Sequence, residues 1–248
     1  MTASFQLYSA RNFTPWDDVF ATISSLGYTG VEGYGALYVD TAKVRAAMDA
    51  TGLSMPTAHV GISDTEDNLE DVVATAKALG ITSIFGPHIV EDDRPTDKAG
   101  WKAFAARLQA ISNALAAHGI SYGWHNHDFE FVACDDGSIP METLLEAAPG
   151  LMWEADIAWI VRGGGDPLAW IEKYGDRITA VHVKDIAPVG ENADEDGWAD
   201  VGEGTMDWAG ILAAVRSKTP VKHFVMEHDN PSDINRFATR SINNYKNL

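Results

Sequence analysis

The chain holds a single cysteine, Cys134, among its 248 residues, so no intramolecular disulfide can staple it. A reducing compartment, the cytoplasm first, is the expected location. No run of about 18 apolar residues occurs, so no membrane-spanning helix is expected. Met1 to Phe13 lacks a basic stretch followed by an apolar one and does not read as a signal peptide. Basic side chains are scarce, with 18 Lys and Arg against 36 Asp and Glu and a net charge of −18. Such a surface repels phosphate backbones and anionic lipid, which argues against nucleic acid and membranes as partners. It also opposes an anionic substrate unless a cation offsets the field, as a bound metal ion would. No glycine-rich phosphate loop follows the first apolar run, which disfavours an open nucleotide-binding sheet. With no linker or low-complexity tract, residues 1–248 read as one domain.

What is present is one sentence repeated. An amphipathic helix ends at a glycine, and a β-rich run begins soon after. Trp16, Val19, Phe20, Ile23 and Leu26 recur at helical spacing behind Thr14, Pro15, Asp17 and Asp18, and Gly27 stops the run. Gly27, Gly52, Gly80, Gly119, Gly150 and Gly175 each precede a strand-like segment. Counting Phe5–Ser9 at the start and His223–Asp229 at the end, eight strands alternate with helical segments. That pattern in this length predicts an α/β fold, a single (β/α)₈ TIM barrel. The longest irregular stretch, Ala187–Thr205, is acidic, follows the seventh strand, and reads equally as a lid or a solvated excursion.

Barrel strands are buried on both faces, so polar residues in them are costly unless partnered. Here they collect at strand ends: Glu32, His59, His88, His125 and His127, Asp156, His182 with Lys184 and Asp185, and Glu227 with Asp229. In a barrel those ends share one mouth, where active sites lie. Side chains two apart in a strand point the same way, which pairs His125 with His127, His182 with Lys184, and Glu227 with Asp229. Imidazoles mixed with carboxylates suit manganese, zinc, cobalt or iron(II), and magnesium less readily. Singly, a strand-end histidine is more often structural, Asp156 reads as a turn cap, and Glu227 as a partner for Lys184. As a set the structural reading is much weaker, because each buried charge would need its own partner.

With these residues in view, the chain resembles the xylose-isomerase-like TIM barrels known as sugar phosphate isomerases/epimerases. That superfamily also holds ketose 3-epimerases, inosose dehydratases and zinc AP endonucleases. The landmarks are Gly27-Tyr-Thr-Gly-Val-Glu32, Trp124-His-Asn-His-Asp-Phe-Glu-Phe131, Glu154-Ala-Asp156, Gly164-Gly-Asp-Pro167, His182-Val-Lys-Asp185, Gly202-Glu-Gly204 and Glu227-His-Asp229. The family's ion is held by Glu, Asp, His and Glu from four later strand ends. Carried over by motif, the last three fall on Asp156, His182 and Glu227. The first falls at His125, where His-Asn-His replaces the usual carboxylate, as in a subgroup found beside sugar dehydrogenases. The resemblance therefore implies one divalent ion, manganese first, on His125, Asp156, His182 and Glu227, with His127 as the alternative to His125 and Glu130 third. The AP endonucleases are similar at His59, His88, Asp156 and His182, but they need a histidine where Trp159 stands.

The resemblance implies isomerisation or epimerisation of a small sugar through an enediolate formed next to a carbonyl. Glu227 is the first candidate base, followed by His127 and Glu32. Lys184 would steady the oxyanion or balance carboxylates, and His59, His88 and Trp159 would touch substrate. A lyase or dehydratase acting on a keto-sugar or inosose shares the first step and is the alternative; a non-catalytic sugar-binding barrel is the second. Arg162 with Gly163–Gly165 is the only hint of a phosphate grip and reads better as a tight turn. A homodimer or homotetramer is the expected assembly, with Trp101, Trp170 and Trp208 at a contact or in the helix–barrel core.

Overall fold

A computed structural model describes residues 2–248 and shows a closed barrel of eight parallel strands. The strands are β1 (Thr2–Gln6), β2 (Gly30–Gly33), β3 (Ser54–His59), β4 (Ser83–Gly86), β5 (Ser121–His125), β6 (Met152–Asp156), β7 (Ile178–Val183) and β8 (His223–Met226). Each pairs with its sequence neighbours, and β1 closes the ring on β8. The predicted barrel is therefore the observed fold. Among the described residues no helix is long and apolar enough to cross a membrane.

The first strand is displaced from expectation. The apolar run Phe5–Ser9 straddles the end of β1 and a 3-10 turn, Leu7–Ala10, which buries Leu7, Ser9 and Ala10. Burial there comes from a helical turn, which a run of apolar residues cannot distinguish from a strand. Elsewhere the glycine punctuation has a plain cause. The helices Thr41–Thr51 and Leu69–Leu79 end on Gly52 and Gly80 in the left-handed region, which only glycine enters cheaply.

The core lies between the barrel and its helices. Trp101 and Trp208 are almost wholly buried there rather than at the surface, and each fully buried Leu, Ile or Phe of this layer contributes about 1.5–3 kcal/mol. The last helix, Ile234–Asn247, shows how this layer serves the mouth. Asp233 caps it, and Ile234, Phe237, Ala238, Ser241 and Ile242 form its buried stripe. Outside that stripe, Arg236 grips the acidic loop after β7, meeting both Glu195 oxygens at 2.9 and 2.8 Å and Asp200 at 3.0 Å.

That loop is folded. Asp185–Ile186 and Trp198–Ala199 form a two-stranded antiparallel ribbon. The Asp185 carboxylate accepts from the amides of Ile186, Gly202 and Met206. Gly204 lies so close to that carboxylate that a Cβ would overlap it, which gives the Gly202–Gly204 motif a local reason. Arg162 ties the loop from the barrel side through the Asp196 carbonyl, at 2.8 Å. Anchored from both sides, the loop packs beside the mouth and sets the buried Trp198 against Trp159, ring centres 4.7 Å apart.

Candidate metal centre

Strand register assembles the site. Asp156 at the end of β6 lies beside His182 on β7, and His182 lies beside Val225 on β8, two residues before Glu227. His125 at the end of β5 lies beside Glu154. The ligand atoms of His125, Asp156, His182 and Glu227 fall within 4.8 Å of one another, and all four side chains are buried. The structure thus brings together the four residues that the family motif singled out.

Asp156 combines the two roles weighed for it. One carboxylate oxygen accepts from the Trp159 amide at 3.0 Å and caps the short helix Ile157–Arg162. The other, Oδ2, is buried without a hydrogen-bond partner among the described residues. Burial, only partly offset by Lys184, pushes this carboxyl up to about 7. His125 Nδ1 makes no well-aligned hydrogen bond, with Glu154 Oε2 3.3 Å away, and burial with the neighbouring His182 charge holds it neutral, down at about 3. Buried polar atoms without partners are rare and call for an explanation. Two neutral or anionic donors aimed at one point, with two more beside them, fit a divalent ion, whose ligands sit about 2.0–2.3 Å from it.

His182 shows the second requirement. Its Nδ1 faces Glu227 Oε2 at 2.8 Å, and its Nε2 faces Glu32 Oε1 at 2.7 Å and Glu154 Oε2 at 3.2 Å. A ligating histidine needs its other ring nitrogen held by a carboxylate or carbonyl, and Glu32 and Glu154 provide one. Burial disfavours the His182 cation, but the charges of Glu154, Glu227 and Glu32 outweigh it and raise the imidazole well above its usual range. Glu227 is likewise held well below the carboxylate range by Lys184 and His182, despite burial.

Glu154 is the residue that sequence reasoning passed over. It stands two before Asp156, so the two share a face of β6, and strand alternation alone could have found it. Its Oε2 meets His59 Nε2 at 2.6 Å. With His59, His125 and His182 it forms a second close cluster deeper in the barrel, sharing two histidines with the first. Gln6 extends this layer by donating to Glu32 at 2.7 Å.

The cavity at the mouth has a volume of about 530 Å³ and is lined by His59, His88, His125, His127, Trp159 and Glu227, together with Asp229 and a set of neutral residues. Glu32 and Lys184, both expected to act on substrate, are fully buried and do not line it. Glu32 supports His182 from beneath. Lys184 balances carboxylates, reaching Asp229 at 2.6 Å, Glu227 at 3.4 Å and Asp156 at 3.7 Å, with Trp198 4.2 Å beyond its ammonium. His127 sits beyond the end of β5 and outside the close cluster, 5.1 Å ring to ring from His125. Glu130 is committed elsewhere, accepting from the Trp124 indole and the His127 amide, each at 2.8 Å. Arg162 stacks on Trp198, its guanidinium carbon 3.1 Å from the ring centre, and does not line the cavity.

Residues 20–246 match the xylose isomerase-like TIM barrel family. A curated relative, the rhizopine catabolism protein MocC of Rhizobium meliloti, is 23% identical over 194 residues, which is 70% of this chain and 58% of that protein. The chain thus spans little more than half the length of that relative. A sugar phosphate isomerase/epimerase from Parabacteroides distasonis superposes with a TM-score of 0.82 at 19% identity, covering 100% of this chain and 99% of that one. The IolI protein, in a crystal structure with a zinc atom, superposes with a TM-score of 0.75 at 14% identity, covering 100% and 96%.

Proposed function

Because the chain belongs to the xylose isomerase-like TIM barrel family, we propose that it is a divalent-metal-dependent sugar isomerase or epimerase whose ion is held by His125, Asp156, His182 and Glu227. One observation carries this reading: four buried donors from β5 to β8 converge within 4.8 Å, beside a cavity suited to a small molecule. The outer cluster is preferred to the deeper one because its Glu227 lines the cavity, whereas Glu154 is sealed beneath it with Oε2 already held by His59 at 2.6 Å.

A bound divalent ion supplies Lewis-acid polarisation of a carbonyl oxygen. The chain's own groups handle the protons. Glu227 lines the cavity and is held ionised, which suits it to accept a proton from a carbon next to that carbonyl. Asp229 lines the same side, ion-paired to Lys184. On the opposite arc, His88 and His127 face each other at 5.0 Å. Burial holds His127 well below the usual imidazole range and so neutral; burial and Arg94 lower His88 in the same direction. Proton-handling groups on opposite arcs match what epimerisation asks of one carbon, removal on one face and return on the other. Trp159 offers a half-buried aromatic wall for the apolar face of a sugar.

A lyase or dehydratase reading rests on a separate observation. His125 occupies the position where a carboxylate was expected, and the neutral His88 and His127 stand free of the carboxylate network, suited to take up a proton and pass it to a leaving group.

Both readings are tested by solvent deuterium exchange. The purified protein, stripped with chelator and reloaded with manganese or zinc, is expected to exchange a carbon-bound hydrogen of a keto-sugar only in the loaded state. Exchange by the stripped protein, or none with any keto-sugar in either state, would sink them.

A further inference from the structure

The donors of the candidate ion come from β5 to β8, but the cavity extends well past them. Its other side is lined by Tyr8, Tyr34, Gly35, Gly61 and Pro87, from the loops after β1 to β4. We propose that this side is a second ring subsite, and that the substrate is an uncharged two-ring glycoside, with one ring at the ion and the other against Tyr8 and Tyr34. The proposal rests on the sugar-processing reading above and names its substrate class.

Size is the first argument. A cavity of about 530 Å³ falls within the range that takes drug-sized ligands. A lone hexose, with about a dozen non-hydrogen atoms, is roughly half of such a ligand. The second argument is construction. Tyr8 and Tyr34 meet edge to face, with ring centres 5.5 Å apart and planes at 85°. Each is buttressed from behind: the Arg11 guanidinium lies 4.1 Å from the Tyr8 ring centre, and Trp16 packs 6.3 Å from Tyr34. Tyr8 nonetheless remains 38% exposed. Two fixed, accessible aromatic rings suit the apolar face of a flat ring, with their hydroxyls available as polar handles.

The third argument is what keeps the space open. Gly35 is exposed, and a Cβ there would meet no atom within 4 Å. The fourth is the kind of charge on the cavity wall, which carries the carboxylates Glu227 and Asp229 and the carboxylate-paired imidazole of His59 but no lysine or arginine. The nearest cations are already engaged, Lys184 by the Asp229 carboxylate and Arg11 by the Tyr8 ring and the Asp229 carbonyl, so a neutral second moiety fits this side better than a phosphorylated one.

The test uses the metal-loaded full chain and titration calorimetry with glucose, cellobiose and phenyl β-glucoside. At least one two-ring ligand is expected to bind tenfold or more tighter than glucose. A gain confined to phenyl β-glucoside assigns an aromatic second ring, and a gain confined to cellobiose assigns a sugar. Gly35→Leu, which fills the space without backbone strain, should erase the gain while leaving metal content unchanged. Tyr34→Ala should erase it by removing the platform. No gain for either two-ring ligand over glucose, or a gain that survives Gly35→Leu, overturns the proposal. Metal content and deuterium exchange measured on the same preparations report separately on the catalytic reading, because binding of these unreactive probes requires no turnover.

Discussion

The arc of the mouth built by β5 to β8 is crowded with charge, whereas the arc built by β1 to β4 meets the same cavity with tyrosines, glycines, a proline and the two histidines His59 and His88. Glu32 and His59 belong to the second arc, but Glu32 is sunk beneath the cavity and reaches it only as a support for His182. The charged arc is held under electrostatic load. Asp156, Glu227 and Asp229 share one buried cation, Lys184, and Asp156 Oδ2 lacks a hydrogen-bond partner. Each unsatisfied buried group costs about 1–3 kcal/mol. The neutral arc meets the cavity without such a crowd of charge, although Glu32 Oε2 and Thr57 Oγ1 beneath it also lack hydrogen-bond partners among the described residues. The difference teaches where the chain is specialised for an ion and where it is free to be shaped for a ligand.

The comparison is broken most severely at Asp156. Asp156→Asn keeps a side-chain oxygen to cap the Trp159 amide but removes the charge. Ion affinity should fall by about 100-fold or more, beyond what loss of a supporting group costs. Thermal stability of the metal-free protein should change little. Metal analysis with a melting curve reads both, and retained ion would show that Asp156 is only a cap.

Chelation should come next in size. An ion present at a hundredfold excess over its Kd adds about 2.7 kcal/mol to stability, which for a chain of this length is roughly 5–10 °C in Tm. Stripping with chelator should lower Tm by that amount, and readdition should restore it. An unchanged Tm would mean that the charged arc holds no ion.

A smaller effect is the pH dependence of the stripped protein between about pH 6.5 and 8. Burial lifts Asp156 and Glu32 to about 7 and Glu130 to about 8, so the folded state keeps protons there that the unfolded chain has already lost. The folded state binds more protons, and stability therefore falls as pH rises through this window. Below it, His125 and His228, lowered to about 3 and about 4, act in the opposite direction, because the unfolded chain binds protons that the folded state refuses. Denaturant titrations at pH 6.5 and 8 should find the stripped protein weaker at pH 8, and Asp156→Asn should reduce the difference.

The smallest effect belongs to the neutral arc. Gly35→Ala should leave both stability and ion content unchanged, within about 0.5 kcal/mol for stability. A loss of ion there would mean that the two arcs are not separable.

Much of the charged arc was legible because strand-end placement and period-two alternation are local signals. The eight-unit alternation made the barrel readable for the same reason. Glu154 obeys that alternation too, two residues before Asp156 on one strand face, but its partners His59 and His182 come from other strands. Other features depend on contacts between distant segments. Trp198 reaches Lys184 only because Arg236 and Arg162 hold the acidic loop in place. Lys184 and Glu32 looked like mouth residues by position, and packing buried them. Of the neutral arc only His59 and His88 were legible, since Tyr8 and Tyr34 carry no pattern of their own and become a pair only when β1 and β2 lie side by side.

The central claim is that His125, Asp156, His182 and Glu227 hold one divalent ion. Anomalous diffraction from crystals grown with manganese or zinc tests it most directly. The account predicts a single peak about 2.0–2.3 Å from one ligand atom of each of the four. A peak among His59, Glu154 and the far sides of the shared histidines, or no peak in the barrel, would contradict it.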